Sequence, residues 1–287
     1  AAAAAVVTRT FRLVYVVAHV GVAHLHDRSW GGLSVEAFLP RPLVGMVGTA
    51  LPLALAGLAL SVTTQVPILL AATLGKALGP FVCLNYIALI FLQLPAALSC
   101  AVPYKTSCQL RNGSARAAKC TSWLGITFTL SWSVAAAVVM SVTAEALSLA
   151  FSHEAHTLQQ TASYMPLCAV WQVWAALNAS CCAVLQGIAD HRYVLRLQLA
   201  ANLLITVPLA LLLGYAAETN LLGLLLAMTA GQAASSLFAY FRIRSLNWGQ
   251  QCELAQRRAV LGVDEVLEGF QPVGRFSVLE EESSDDG

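Results

Sequence analysis

The polar residues set deep in the apolar runs of this chain are amides, hydroxyls and aromatics. They are Gln65, Asn85, Tyr86, Gln93, Gln172, Asn178 and Gln232, together with Trp171 and Trp174. An ionisable residue inside an apolar span would be the first place to look for function, but these runs keep Asp, Glu, Lys and Arg at their ends. Neutral side chains in such places have two readings. They line an aromatic path for a substrate, or they hydrogen-bond between helices and hold a bundle together. On a helix, Trp171, Trp174 and Asn178 fall at three- and four-residue intervals and form one stripe, whereas Gln172 lies about 160° round from Trp174. Two tryptophans without a charge suit a flat apolar cation, held by cation–π contacts of about 0.5–2 kcal/mol each. The same rings suit packing against lipid or a neighbouring helix equally well. The candidate substrate-binding residues are Gln65, Asn85, Tyr86, Trp171, Trp174 and Asn178.

Other chemistries find less support. His153-Glu-Ala-His156 places two histidines three apart on a potential helical face, but a metal site needs more ligands than these. The eight cysteines contain no C-x-x-C pair and mostly sit in apolar runs, so they read as small buried residues rather than a disulfide framework. There is no nucleotide loop, nucleophile elbow or zinc motif, and no span pairs a nucleophile with a base. We expect no catalytic residue, metal or cofactor. The net charge of +1 gives no hint of a nucleic-acid partner.

The elements that must position the candidate residues are membrane helices. The chain is 58% hydrophobic and 11% charged, against about a quarter charged in soluble domains. Its long runs are apolar all round and near the ~20 residues that cross a bilayer. The sequence predicts an all-α polytopic bundle of six full spans over 43–74, 77–102, 120–144, 161–186, 193–217 and 221–240. Residues 1–28 read as the remnant of a further span, 29–246 as the bundle, and 247–287 as a tail. Pro52, Pro67 and Pro95 fall inside spans, where proline kinks a helix and neighbours must re-satisfy the freed carbonyl. Residues 105–119 and 145–160 read as polar loops.

Charge alternates between the loops. Arg28, Arg41, Lys105, Arg111, Arg116, Lys119, Arg192, Arg196, Arg242 and Arg244 fall on one side, and Lys76, Glu145, Glu154 and Glu218 on the other. Short cytoplasmic loops collect Lys and Arg, so the basic side and the tail are expected in the cytoplasm. Within the tail, 247–270 has helical periodicity and suits a membrane-surface helix. Residues 277–287 are too acidic to bury anything and read as disordered.

Several stretches in order resemble the multidrug and toxin extrusion (MATE) transporter family of eukaryotic type. Ser29-Trp-Gly-Gly-Leu-Ser34 resembles the loop before that family's seventh helix, and Leu51-Pro52 the Leu-Pro within it. Leu94-Pro95 with Lys105 resembles the end of helix eight, and Gly113–Ala118 the loop that follows. Val184-Leu-Gln-Gly187, Arg192, Pro208 and Gly223-Leu224 keep the spacing of helices ten to twelve, and Asn247-Trp248, Ala255 and Arg258 resemble the closing motif.

The resemblance implies the C-terminal six-helix lobe of a twelve-helix antiporter, with the N-terminal lobe missing. Such a protein exports organic cations, drugs or other xenobiotics in exchange for protons or sodium, from a plasma, vacuolar or other organellar membrane. It is a transporter rather than an enzyme, and its partners are a small-molecule substrate, the coupling ion and the bilayer. Where the family carries acidic residues in this lobe, this chain has Leu60, Gln65, Tyr86 and Ala175. A partial or degenerate antiporter is therefore the expectation. The alternatives are a related lipid or oligosaccharide flippase, or a transport-inactive membrane scaffold.

Overall fold

In the computed structural model, residues 2–22, 40–73, 75, 77–216 and 220–269 are described. The loop 29–39, Lys76, Glu218 and the acidic stretch 277–287 lie outside the described residues. All regular structure among the described residues is helical. The chain divides into two compact units, residues 1–51 and 52–287. The first contains α1 (Ala2–Val22), whose apolar part, Leu13–Val22, is shorter than a membrane span. The boundary falls within α2 (Pro40–Thr73), and the second unit continues through α3 (Leu78–Phe91), α4 (Gln93–Arg111), α5 (Ala115–Val142), α6 (Ala144–Phe151) and α7 (Ala155–Gly187). Then come α8 (His191–Leu199), a π-helical stretch (Ala200–Thr206), α9 (Val207–Leu211), a second π stretch (Leu212–Ala216), α10 (Asn220–Arg244) and α11 (Trp248–Gly269).

Five of these segments are long and apolar enough to cross a bilayer, and α3 with α4 makes a sixth, bent by 47°. The span count matches the sequence expectation, whereas several boundaries move. Residues 105–119 are mostly helix, because α4 runs to Arg111 and α5 starts at Ala115. Residues 145–160 are mostly α6 and the start of α7, with a break at Ser152–Glu154. Hydropathy marks where the chain leaves lipid, and these helices continue past that level. The helical periodicity of 247–270 corresponds to α11, which packs against α4 and α5.

The long helix α7 is the axle of the second unit, packed by α3, α4, α5, α6 and α10. Its buried positions are mostly small: Ala169, Ala176, Ser180, Cys181, Cys182, Ala183 and Gly187. Lipid gives no hydrophobic drive between helices, so close approach of small residues has to supply the packing. The glycines show how close. A Cβ on Gly187 would stand 3.0 Å from the backbone of Pro103, and one on Gly125 would stand 2.6 Å from a Val102 methyl.

The bend between α3 and α4 has a local cause. Pro95 has no N–H to give the carbonyl of Phe91, four residues earlier. That carbonyl accepts the indole N–H of Trp132 on α5 instead, at 3.3 Å. A neighbouring helix thus satisfies the acceptor that proline frees, as the interior of a bilayer demands. The fifth span departs from a plain α-helix at its two π stretches. In the first, the Thr206 hydroxyl donates to the carbonyl of Ala201, five residues back, at 3.2 Å.

Candidate functional site

Asn178 sits at the centre of a buried hydrogen-bond network that joins three spans. Its side-chain amide donates to Gln232 Oε1 on α10 at 2.8 Å. Its Oδ1 accepts from Ser235 at 2.8 Å, from Gln198 on α8 at 3.2 Å and from the Cys182 thiol at 3.4 Å. The Gln198 amide also reaches Cys182 Sγ at 3.1 Å, and its Oε1 accepts from Asn202 at 3.3 Å. Asn178 is 2% exposed, and Gln198, Asn202, Gln232 and Ser235 are buried with it. Of the two readings of Asn178, this geometry realises interhelical hydrogen bonding. The oxygen accepts three donors, so removing it strands several groups at once.

The other candidates divide by exposure. Trp171 is buried at 4%, and its indole N–H is unpaired. Asn85 is half-buried, with an unpaired Oδ1. Tyr86 on α3 is 57% exposed, Gln65 on α2 is exposed, and Trp174 on α7 is half-buried. Asn85 and Tyr86 are carried by a helix that touches α7, through the Cys168 thiol on the Leu84 carbonyl at 3.5 Å. Among the described residues, no hydrogen bond or ring contact joins any two of the six. Gln172 is fully buried, with both amide atoms unpaired.

At one end of the bundle the basic helix termini converge. Arg242 at the end of α10 pairs with Asp190 in the α7–α8 turn at 3.1 Å and lies 5.3 Å over the Tyr193 ring. The following helix, α11, crosses this end. Its Arg258 donates to the carbonyl of Ile188 at 3.2 Å, and its Cys252 thiol meets the carbonyl of Leu110 at 3.2 Å. At the other end Thr157 donates to Glu154 at 2.7 Å. His153 lies before the start of α7 and His156 within it, so the two do not share a helical face as their spacing allowed. Among the described residues, no three His, Cys, Asp or Glu side chains gather as a metal site.

Sequence reasoning missed Gln198, Asn202, Ser235 and Cys182 as members of the network, and Trp132 as the partner of the bend. The signal for the first two was present, since both are polar residues in an otherwise apolar span. Trp132 carried none, because its role depends on which carbonyl a proline in another span leaves free.

Six membrane-capable segments of this kind, one of them broken at a proline, around an uncharged hydrogen-bonded interior define an all-helical polytopic membrane protein. The MatE family model matches residues 52–212, more than half of the chain, and the protein belongs to that family. It is 25% identical over 246 residues to multidrug and toxin extrusion protein 1 of Homo sapiens, covering 84% of this chain and 42% of the relative. It is 21% identical over 175 residues to Protein DETOXIFICATION 53 of Arabidopsis thaliana, covering 61% and 36%. The chain thus spans less than half the length of these relatives. Among solved structures, the eukaryotic MATE transporter AtDTX14 matches with a TM-score of 0.79 at 18% identity, over 86% of this chain and 56% of that one. An outward-facing multidrug resistance MATE transporter matches with a TM-score of 0.70 at 16% identity, over 85% and 55%.

Proposed function

We propose that this chain works as one lobe of a MATE-type antiporter that exports organic cations or other xenobiotics by alternating access. The observation that carries the substrate reading is that Gln65 and Tyr86 are exposed and Trp174 half-buried on three spans of a MATE-family chain. These three face the substrate, with the rings of Tyr86 and Trp174 supplying cation–π contact. Trp171, Asn178 and Asn85 stand behind them as the wall. The spans contain no interior Asp or Glu, so coupling to protons or sodium requires a carboxylate contributed from outside this lobe. The basic end faces the cytoplasm, by the rule that orients short basic loops.

The test is binding of a fluorescent aromatic cation to a full-length protein containing this lobe. Trp174→Ala should weaken binding about tenfold, equivalent to the upper range of one cation–π contact, with normal yield of folded protein. Equal losses of folded protein and of binding would make Trp174 a core residue and overturn the assignment. A second reading, a membrane scaffold without transport, is favoured by the uncharged interior. It predicts that no variant of Gln65, Tyr86 or Trp174 alters cation binding.

A further inference from the structure

Two stripes of side chains come together where α5 and α10 meet at the basic end. On α5, Arg116, Lys119 and Trp123 recur at three- and four-residue intervals, so they share one helical face. On α10, Arg244 follows Phe241 by three residues and Tyr240 by four, so it lies one turn from both. The first helix starts at the basic end and the second finishes there. Arg116 and Lys119 are therefore level with Arg244, and Trp123 is level with Tyr240 and Phe241. Ring contacts fix that register. Trp123 meets Tyr240 edge-on with centroids 5.6 Å apart and planes at 80°, and Tyr240 meets Phe241 at 6.0 Å.

Arg116, Lys119 and Arg244 are exposed, and none makes an ion pair or side-chain hydrogen bond among the described residues. Asp190, the acidic group of the adjacent turn, is already taken by Arg242. Below the cations the surface turns apolar at once, with Phe241 60% exposed on a membrane-spanning helix. A cluster of cations at a helix end, a ring of amphipathic aromatics one turn deeper, and an apolar surface below them repeats the layering of a phospholipid from headgroup to chain. Trp and Tyr settle at that level of a bilayer, and long basic side chains reach from it to the headgroups.

We propose that this face binds one anionic phospholipid. Arg116, Lys119 and Arg244 hold its phosphate and any further acidic headgroup oxygens, Arg through paired N–H donors and Lys as a point charge. The edge of Trp123 and the faces of Tyr240 and Phe241 pack along the glycerol and the first methylenes. The site needs only that the chain spans a membrane and is independent of which compound it transports.

The experiment is native mass spectrometry of the full chain released from mixed micelles that supply phosphatidylglycerol and phosphatidylcholine equally. The wild type should retain phosphatidylglycerol preferentially. Lys119→Gln with Arg244→Gln should lose that preference at an unchanged melting temperature. Arg192→Gln with Arg196→Gln removes the same charge from the start of α8, where both side chains are also exposed, and should keep it. Equal retention of the two lipids by the wild type would overturn the proposal. So would a preference that survives the Lys119/Arg244 change, or one lost equally in the Arg192/Arg196 control. Excess inorganic phosphate should leave the lipid in place; displacement would mark a free-anion site and remove the lipid from the assignment.

Discussion

Two buried amides on α7 make opposite predictions. Asn178 Oδ1 accepts three donors from α7, α8 and α10, and Asn178→Leu would leave Gln198, Gln232 and Ser235 short of a partner in a dry interior. Each unpaired group costs about 1–3 kcal/mol, while interhelical hydrogen bonds in membranes average about 0.6 kcal/mol because partners are found elsewhere. A net loss of about 2 kcal/mol is the expected outcome, read as a lower melting temperature in detergent. Gln172 has the same chemistry without the partners, so Gln172→Met should leave the melting temperature unchanged or raise it. A large loss at Gln172 would mean that its amide is paired in the membrane. Helical spacing alone placed Asn178 on the stripe with Trp171 and Trp174 and Gln172 off it. Which of the two amides is paired depends on the partner helices, which spacing does not give.

At the scale of elements, the bend at Leu92 rests on a trade between Pro95 and Trp132. Replacing Trp132 by Phe leaves the Phe91 carbonyl unpaired and should cost about 1 kcal/mol. In a Pro95→Ala background the new N–H can take that carbonyl, so the same Trp132→Phe change should cost much less. A double-mutant cycle measures the coupling, and strictly additive effects would show that the indole does not serve the bend. A second contact can be tested the same way. A Cβ on Gly231 of α10 would collide with the Thr206 hydroxyl in the first π stretch. Gly231→Ala should therefore impair folding, with partial recovery when combined with Thr206→Ala. The spans and the proline-bent segment were legible in the sequence, because composition and missing N–H groups are local properties. The π stretches were not, since Leu-rich runs such as 202–213 read the same at either helical pitch. Nor was the helical character of 105–119, where polarity was mistaken for irregularity.

For the whole molecule, the contacts that gather Arg242, Asp190, Ile188, Leu110 and α11 tie four helix ends together on the basic side. That convergence makes orientation testable at a position away from them. Gly113, between α4 and α5, is exposed and has φ +80°, a conformation that resists a side chain. A cysteine is better placed at its neighbour Asn112, also exposed and at an ordinary φ of −77°. With the basic end in the cytoplasm, Asn112→Cys should resist an impermeant thiol reagent in intact cells and react after permeabilisation. Reaction in intact cells would reverse the orientation. Coupling follows from the same global view. An antiporter must change charge at its binding cleft between its two facing states, and the spans here offer no Asp or Glu in their interiors. The buried network at Asn178 is built from neutral amides, a hydroxyl and a thiol, so it holds its shape without taking up a proton. Reconstituted on its own, the 287-residue chain should therefore show no uptake driven by a pH gradient in vesicles. Robust gradient-dependent flux from the chain alone would mean that a neutral lobe can couple transport to protons, and the requirement for an outside carboxylate would fall.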